Sequence, residues 1–489
     1  MPGGLQTGMA PTDSSADNAS LLPDRLASMG QSHLLTFADS LPEPERERFF
    51  EQLDALDLER LPPLIERYVL TETSAAVPNE LAPAPYVPLG MPEAERARYR
   101  VAGESLLTTG RVACFTVAGG QGSRLGFEGP KGCFPTGCVT DKSLFAIFAE
   151  QMLASRRRWG SAIPWYIMTS PLNHDATTAF FAEHAFFGLP ESDVRFFQQG
   201  VMPSMDKASG RVLLKSPGEV ATNPDGHGGA FRALYRSGAV ADMKSRGIEH
   251  LSYFQVDNPN VHAVDPVFLG LHAEHPDSSA EMSSKMIPKV SPGEKVGVFC
   301  LAGGKTAVIE YSDLPDELAE ARDDRGELRF IAGSIAIHAL SVGFIERVAT
   351  DPAFELPFHR AVKKVAYTDL ETGKTVEPET PNAVKLEQFV FDAIPLAGRS
   401  LVVETDRVEE FAPVKNREGT DSIETSKRLQ TERAARWLEG AGVRVPRSED
   451  TEARVDADIE ISPLTALFGS DLIGRDDLPQ IDPGARVAL

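Results

Sequence analysis

Cysteine is scarce in this chain, with four in 489 residues: Cys114, Cys133, Cys138 and Cys300. That is too few for a disulfide framework, so reduced thiols are expected. Cys133 and Cys138 have four residues between them, but no second pair or neighbouring histidine completes a zinc site. Positive charge is also short: 49 Lys and Arg stand against 71 Asp and Glu, for a net charge of −22. A surface of that sign argues against nucleic acid and anionic membrane as partners, since both need a basic face. No apolar run reaches the roughly 18 residues that a membrane span requires. The opening MPGGLQTGMAPTDSSADNAS has neither a basic start nor an apolar core, so no signal peptide is read there. The cytoplasm is the expected compartment.

What is present is ordinary for a folded protein: 42% hydrophobic and 25% charged residues, in a chain long enough for one large α/β domain with smaller additions. Residues 1–20 are polar and rich in Gly, Ser and Asp, and disorder is expected there. Over 21–104, apolar residues at helical spacing (Leu34, Leu35, Phe37; Phe49, Phe50, Leu53, Leu56; Leu61, Leu64, Ile65, Val69) are punctuated by Pro42, Pro44, Pro62 and Pro63. This predicts a helical arm ending in a Pro-rich linker at 82–92. From 105 to 400, strands alternate with helices. RVACFTV, PWYIMTS, VRFFQQ and LSYFQVD read as buried strands, and SLFAIFAEQML as a helix. Such alternation implies right-handed crossovers and a mostly parallel, doubly wound sheet with its ligands at the carboxyl ends of the strands. VGVFCL and TAVIEYS flank Ala302-Gly303-Gly304-Lys305 as a hairpin, and that Gly-Gly is read as its turn. Residues 401–489 form a small acidic C-terminal region with β content.

The strand at 111–117 runs into Ala118-Gly119-Gly120-Gln121-Gly122-Ser123-Arg124-Leu125-Gly126, followed by Pro130-Lys131-Gly132. Glycines let a backbone approach a nucleotide and aim its N–H groups at phosphate. Arg124 and Lys131 add fixed positive charge. Spacing excludes two familiar loops. The dinucleotide fingerprint has two residues between its second and third glycines, and the P-loop has Gly-Lys followed by Ser or Thr.

This string resembles the signature of the UTP-dependent sugar-1-phosphate uridylyltransferases, in particular the eukaryotic-type UDP-N-acetylhexosamine pyrophosphorylases. The blocks MTSPLNHDATTAFFAEHAFFGL, FFQQGVMPSMD, NPDGHGGAFRAL, VDNPNVHAVDPVFLG, VGVFC, VIEYSDL, LEQFVFDAI and EFAPVKN are similar to the family's and stand in its order. GQSHLLTFADSL resembles part of its helical arm. The resemblance implies a Rossmann-like (GT-A-like) nucleotidyltransferase domain between an N-terminal helical arm and a small C-terminal domain. It further implies attack of a sugar-1-phosphate on the α-phosphorus of UTP, with release of pyrophosphate. Two anions meet in that reaction, so cations and Mg²⁺ are the expected tools.

Carried over residue by residue, the resemblance gives Arg124 and Lys131 to the UTP phosphates and Lys415 of EFAPVKN to the same charge from the C-terminal side. Asp257, ending LSYFQVD, is expected to hold Mg²⁺ against the phosphates. Gly119, Gly120 and Gly226 are expected to contact the nucleotide by backbone. Gln199 is expected to read uracil, an edge that suits an amide's paired donor and acceptor, with Gln198 as the alternative if the pleat turns it inward. His227, Gly297, Glu310 and Ser334 fall at sugar positions, and Phe389 and Phe391 resemble an apolar wall near an N-acetyl group. Asparagines that the N-acetylhexosamine enzymes carry are here His227 (PDGHGG) and Ser334 (AGSI). N-acetylglucosamine-1-phosphate is the expected acceptor, with glucose-1-phosphate or a broader range of sugar phosphates as the alternative that these two residues raise. A catalytically silent UDP-sugar-binding protein is the rival from another class. His272 and His275 are read as helix-end residues without a metal role.

Overall fold

The computed structural model describes residues 22–56, 58–71, 80–449 and 453–489. The expectation of disorder over 1–20 lies outside them. The chain divides into two compact units, and their boundaries differ from those expected at 104/105 and 400/401.

The first unit gathers the described residues up to 71 with 201–225 and 358–387. The helix Glu43–Ala55 turns Phe49 and Leu53 inward. These residues share a core with Met205, Val212, Leu214, Val220, Val384 and Leu386. Here His359–Lys363 and Ala383–Glu387 pair antiparallel, and the latter also pairs with Met205–Asp206. Two arm glutamines tie the helices to the strands. The Gln31 carbonyl accepts from the Val212 N–H (2.9 Å), and the Gln52 carbonyl from the Val220 N–H (2.9 Å). The arm thus completes its core with two excursions from the middle of the sequence, which a linear pattern reading cannot join.

The second unit is built on a ten-stranded sheet. Its strands are β1 (Leu81–Pro83), β2 (Val112–Val117), β3 (Trp165–Thr169), β4 (Val194–Gln198), β5 (His250–Gln255), β6 (Met282–Pro288), β7 (Val298–Ala302), β8 (Lys305–Ile309), β9 (Ala332–Ser341) and β10 (Val402–Glu404). The main path runs β1-β7-β9-β5-β2-β3-β4. From β5 through β2 and β3 to β4 every pairing is parallel. Of these, β5, β2 and β3 are almost wholly buried, as near-continuous apolar strands covered on both faces should be, while β4 at the end of the path is more open. Strand β9 reverses the direction against β5, and the β7–β8 hairpin expected from VGVFCL and TAVIEYS forms beyond it.

Helices pack on this sheet where the sequence marks their ends. The helix Leu144–Trp159 is capped by Ser143, whose hydroxyl accepts from the Ala146 N–H (3.1 Å), and it stops at Gly160. Residues 402–404, expected in the C-terminal region, instead enter the central sheet as β10, parallel to β6. The remaining C-terminal part is led by the 18-residue helix Ile423–Gly440, which carries a Ser422/Thr425 capping box, and by the parallel pair Ala457–Glu460 and Ala485–Ala488. All four cysteines are free. His272 lies in the helix Pro266–Glu274 and His275 caps it, as read from the sequence.

One buried charge group ties this unit together. Lys285 on β6 donates to both carboxylate oxygens of Glu410 and to Asp265, each at 2.6 Å. Thr405 adds a fourth bond, to Glu410 (2.6 Å). A buried cation so completely partnered avoids the several kcal/mol, about 3–5, that an orphaned charge would cost.

Three histidines are buried neutral. Burial lowers His250 to about 4 and His272 and His338 to about 3. In the unfolded chain each binds a proton as pH falls through about 6.5, while the folded ring does not. Stability of this unit is therefore expected to be full above pH 6.5 and to fall below it, by up to about 4 kcal/mol per pH unit if all three contribute. Urea unfolding across pH 7 to 4 measures this; a flat profile would mean that the rings are protonated in the native state.

Candidate functional site

Strand β2 delivers its chain directly into the glycine loop. Ala118 N–H continues the β2–β3 ladder to the Met168 carbonyl (2.7 Å), and the loop then folds back on itself. Gly122 N–H donates to Gly129 O (2.9 Å) and Lys131 N–H to Gly120 O (3.0 Å). The turn Ser123–Leu125 carries Arg124 into solvent and ends at Gly126 in the left-handed region (φ 71°), where a side chain would be strained. Gly119 has a different reason to be glycine. A Cβ there would lie 2.8 Å from Oε1 of Gln199. The Gln199 amide, 8% exposed, therefore rests on the loop backbone, while Gln198 points to solvent. The pleat turns Gln199, not Gln198, inward.

A residue that motif reading passed over holds this loop in shape. Asn173 is buried, and its amide donates to the carbonyls of Ala118 (2.9 Å) and Gly120 (3.2 Å). Its own carbonyl accepts from the Ser170 N–H (2.8 Å) and hydroxyl (3.0 Å). The signal was present in SPLN-H, a buried amide at a helix start, but nothing local distinguishes it from an N-cap.

The carboxyl end of β5 forms the second wall. Asp257 follows the strand, and its carboxylate stands 3.8 Å from Lys131 Nζ, both groups mostly enclosed. The Asp257 carbonyl accepts from the Val414 N–H (2.8 Å). Asn258 next to it donates to the Glu410 carbonyl (2.6 Å) and accepts from the Ala412 N–H (3.0 Å). The segment 410–415 is therefore sewn to the strand end, which brings Lys415 to the site. Lys415 Nζ lies 3.3 Å from Asp421 and over the ring of Phe411.

Asp257 and Lys415 line one cavity of about 150 Å³ with Gly297, Glu310 and Ser334. Gln255 lines it too and was not expected from the sequence. Ser334 reaches it because β9 is irregular here: its pairing with β6 shifts register between Ser284 and Met286, and Ala336 takes φ 54°. Ser334 N–H donates to the Gly297 carbonyl (2.8 Å), fixing the two residues side by side. A cavity with a carboxylate, a hydroxyl, an amide and a lysine can bind a polyhydroxylated, phosphorylated ligand.

Gly226 and His227 form a third group, outside that cavity. Gly226 opens the short turn His227–Gly229 with φ 84°. The His227 ring stacks on Phe389 (centroids 5.2 Å, 23°) and lies edge-on to Phe391 (5.9 Å, 60°), and its Nδ1 accepts from the Val390 N–H (3.0 Å). The histidine that departs from the family pattern thus packs with the aromatic pair read from the sequence as an apolar wall.

Residues 85–429 match the family described as UTP–glucose-1-phosphate uridylyltransferase. The chain is 36% identical over 432 residues to the UDP-N-acetylglucosamine pyrophosphorylase of Saccharomyces cerevisiae, covering 84% of this chain and 90% of that protein. It is 36% identical over 486 residues to UDP-N-acetylhexosamine pyrophosphorylase-like protein 1 of Xenopus tropicalis, covering 94% of each. Among solved structures, the uridine diphosphate N-acetylglucosamine pyrophosphorylase from Trypanosoma brucei in complex with inhibitor matches with a TM-score of 0.78 at 26% identity, over 98% of this chain and 99% of that one.

Replacing Asn173 with Ala should leave two loop carbonyls without their donor. The expected result is a loss of about 1–3 kcal/mol in urea unfolding and weaker UTP binding by calorimetry. Unchanged values in both would show that the glycine loop holds its own shape.

Proposed function

The chain belongs to the UTP–glucose-1-phosphate uridylyltransferase family, and we propose that it joins UTP to N-acetylglucosamine-1-phosphate, releasing pyrophosphate and UDP-N-acetylglucosamine. One observation carries this reading: Asp257 faces Lys131 of the glycine loop on one side and shares a cavity with Lys415, Glu310 and Ser334 on the other. A nucleotide phosphate chain and a sugar phosphate would meet there.

In this reading the backbone at Gly119, Gly120 and Gly226 receives the nucleotide, and the Gln199 amide pairs with uracil. Arg124, Lys131 and Lys415 neutralise the charge that brings two phosphates together and that gathers on the leaving pyrophosphate. Glu310, Ser334 and the Gly297 backbone accept or donate hydrogen bonds to the hexose, and His227 with Phe389 and Phe391 makes the wall beside it. No side chain is needed as a covalent nucleophile, because the sugar phosphate oxygen is the attacking group. Asp257 suits a divalent ion, which in such sites takes one or two carboxylates and completes its shell with phosphate oxygens and water. Magnesium is the ion proposed, and when bound it would draw charge from the α-phosphate. The family name and the short hydroxyl of Ser334 favour glucose-1-phosphate as the second acceptor. Four free thiols suit a reducing compartment, and we assign the activity to the cytoplasm.

The test is pyrophosphate release from UTP and Mg²⁺ with a panel of sugar-1-phosphates. Turnover is expected with N-acetylglucosamine-1-phosphate. Turnover with glucose-1-phosphate alone would overturn the acceptor, and silence with every sugar would favour a binding protein. Lys131→Ala and Asp257→Asn are each expected to lower turnover about 100-fold or more, with the unfolding midpoint little changed. Wild-type rates in either folded variant would remove that residue from the machinery.

A further inference from the structure

Arg417 lies two residues past Lys415 and takes no part in the site as built above. It sits on a closed loop. Asp421, in the left-handed region (φ 54°), accepts the Lys415 N–H (2.7 Å) and Asn416 N–H (3.1 Å) on its carbonyl. Its carboxylate faces Lys415 Nζ, and the Asn416 amide donates to Thr420 O (2.8 Å). The base of this loop is fixed to the end of β5 through Val414 and Asn258. Its tip is therefore held in place rather than draped on the surface.

The tip rests on the glycine loop. A Cβ placed on Gly126 would lie 3.7 Å from a terminal nitrogen of Arg417 and 3.8 Å from its Cδ. Gly126 closes the very turn that carries Arg124. Arg417 is exposed, and it forms no ion pair or hydrogen bond with any described residue, in a chain with 71 acidic side chains. Arg124 is equally unpaired among the described residues. Some arginines of this unit are engaged, such as Arg156 with Asp193, Arg447 with Glu432 and Glu439, and Arg407 with Glu294. What sets Arg417 apart from the other unengaged ones is its place against the glycine loop. An unpaired guanidinium held over a phosphate loop is placed for an anion that arrives from solution. A guanidinium fork matches two phosphate oxygens at once, and so suits a diphosphate better than a single charge does.

We propose that Arg417 binds the β,γ-diphosphate of UTP, opposite Arg124, and retains the pyrophosphate it becomes. This rests on the uridylyltransferase reading above. In that reaction a sugar phosphate oxygen forms a bond to the α-phosphorus, the bond from that phosphorus to the bridging oxygen breaks, and pyrophosphate leaves with the electron pair. Arg417 would meet the charge on the departing group. Its proposed contacts include neither the sugar nor the α-phosphate, so its removal should separate UTP and pyrophosphate, which carry a terminal diphosphate, from UDP-N-acetylglucosamine, whose diphosphate is bridged between uridine and sugar.

The experiment uses the full chain and its Arg417→Ala and Arg417→Lys variants, with UTP, magnesium pyrophosphate and UDP-N-acetylglucosamine as calorimetric probes. For Arg417→Ala, the dissociation constants of UTP and pyrophosphate and the KM for UTP should rise about tenfold. UDP-N-acetylglucosamine affinity and the KM for the sugar phosphate should stay within about twofold. Arg417→Lys should fall between, since it restores charge without the fork. Unchanged UTP and pyrophosphate affinities would overturn the proposal. So would equal weakening of all ligands with a lowered unfolding midpoint, which would mark Arg417 as a packing residue. If the wild-type chain itself binds neither UTP nor pyrophosphate, the uridylyltransferase reading falls, and this inference with it.

Discussion

The site depends on how the carboxyl end of β5 grips a segment that arrives about 150 residues later in the chain. Asn258 satisfies the backbone on both sides of residue 411, and Asp257 adds a third bond through its carbonyl. A few ångströms away, Lys285 fixes the Glu410 side chain from β6. Main chain and side chain of the same residue are thus held from the two strands that flank β9. Precision of this kind is what positions a lysine at the end of a loop, where the loop alone would not. The apolar ring of Phe411, under Lys415, completes the support.

Geometry of the sheet explains why these particular elements meet. Parallel strands β5, β2, β3 and β4 all end at one edge, so the glycine loop after β2, Asn173 after β3, Gln199 after β4 and Asp257 after β5 are neighbours by topology. Antiparallel β9 then brings Ser334, near its start, to the same edge. Its irregular stretch around Ala336 is where regular pairing gives way to a cavity. Backbone strain of this sort is tolerated where surrounding contacts over-determine it.

Much of this could be read before any coordinates. Buried strands announce themselves by continuous apolar runs, and the strand-then-glycine order marked the loop after β2 as the candidate phosphate loop. Gln199 could be narrowed to two residues but not chosen, because a one-residue change of pleat reverses which side chain faces inward. Asn173 and Asn258 escaped notice because their work is done on the backbone of distant segments, and sequence carries no mark of that. Residues 201–225 and 358–387 were assigned to the catalytic region by position in the chain. They share a core with the helical arm because Val212, Val384 and Leu386 need its leucines to be buried. That pairing is long-range and leaves no local periodicity to detect. Strand β10 was hidden for a simpler reason: three residues are too few to show a pattern.

The bond between the Val390 N–H and His227 settles something about that ring. A backbone amide is only a donor, so Nδ1 must offer its lone pair, and the neutral imidazole carries its hydrogen on Nε2. The tautomer is dictated by the chain that passes beside it. An asparagine amide, the residue type found here in the N-acetylhexosamine pattern, can turn either a donor or an acceptor towards a neighbour. With Nδ1 of His227 committed as an acceptor, Nε2 acts as a donor only, and any group that meets it must bring a lone pair of its own.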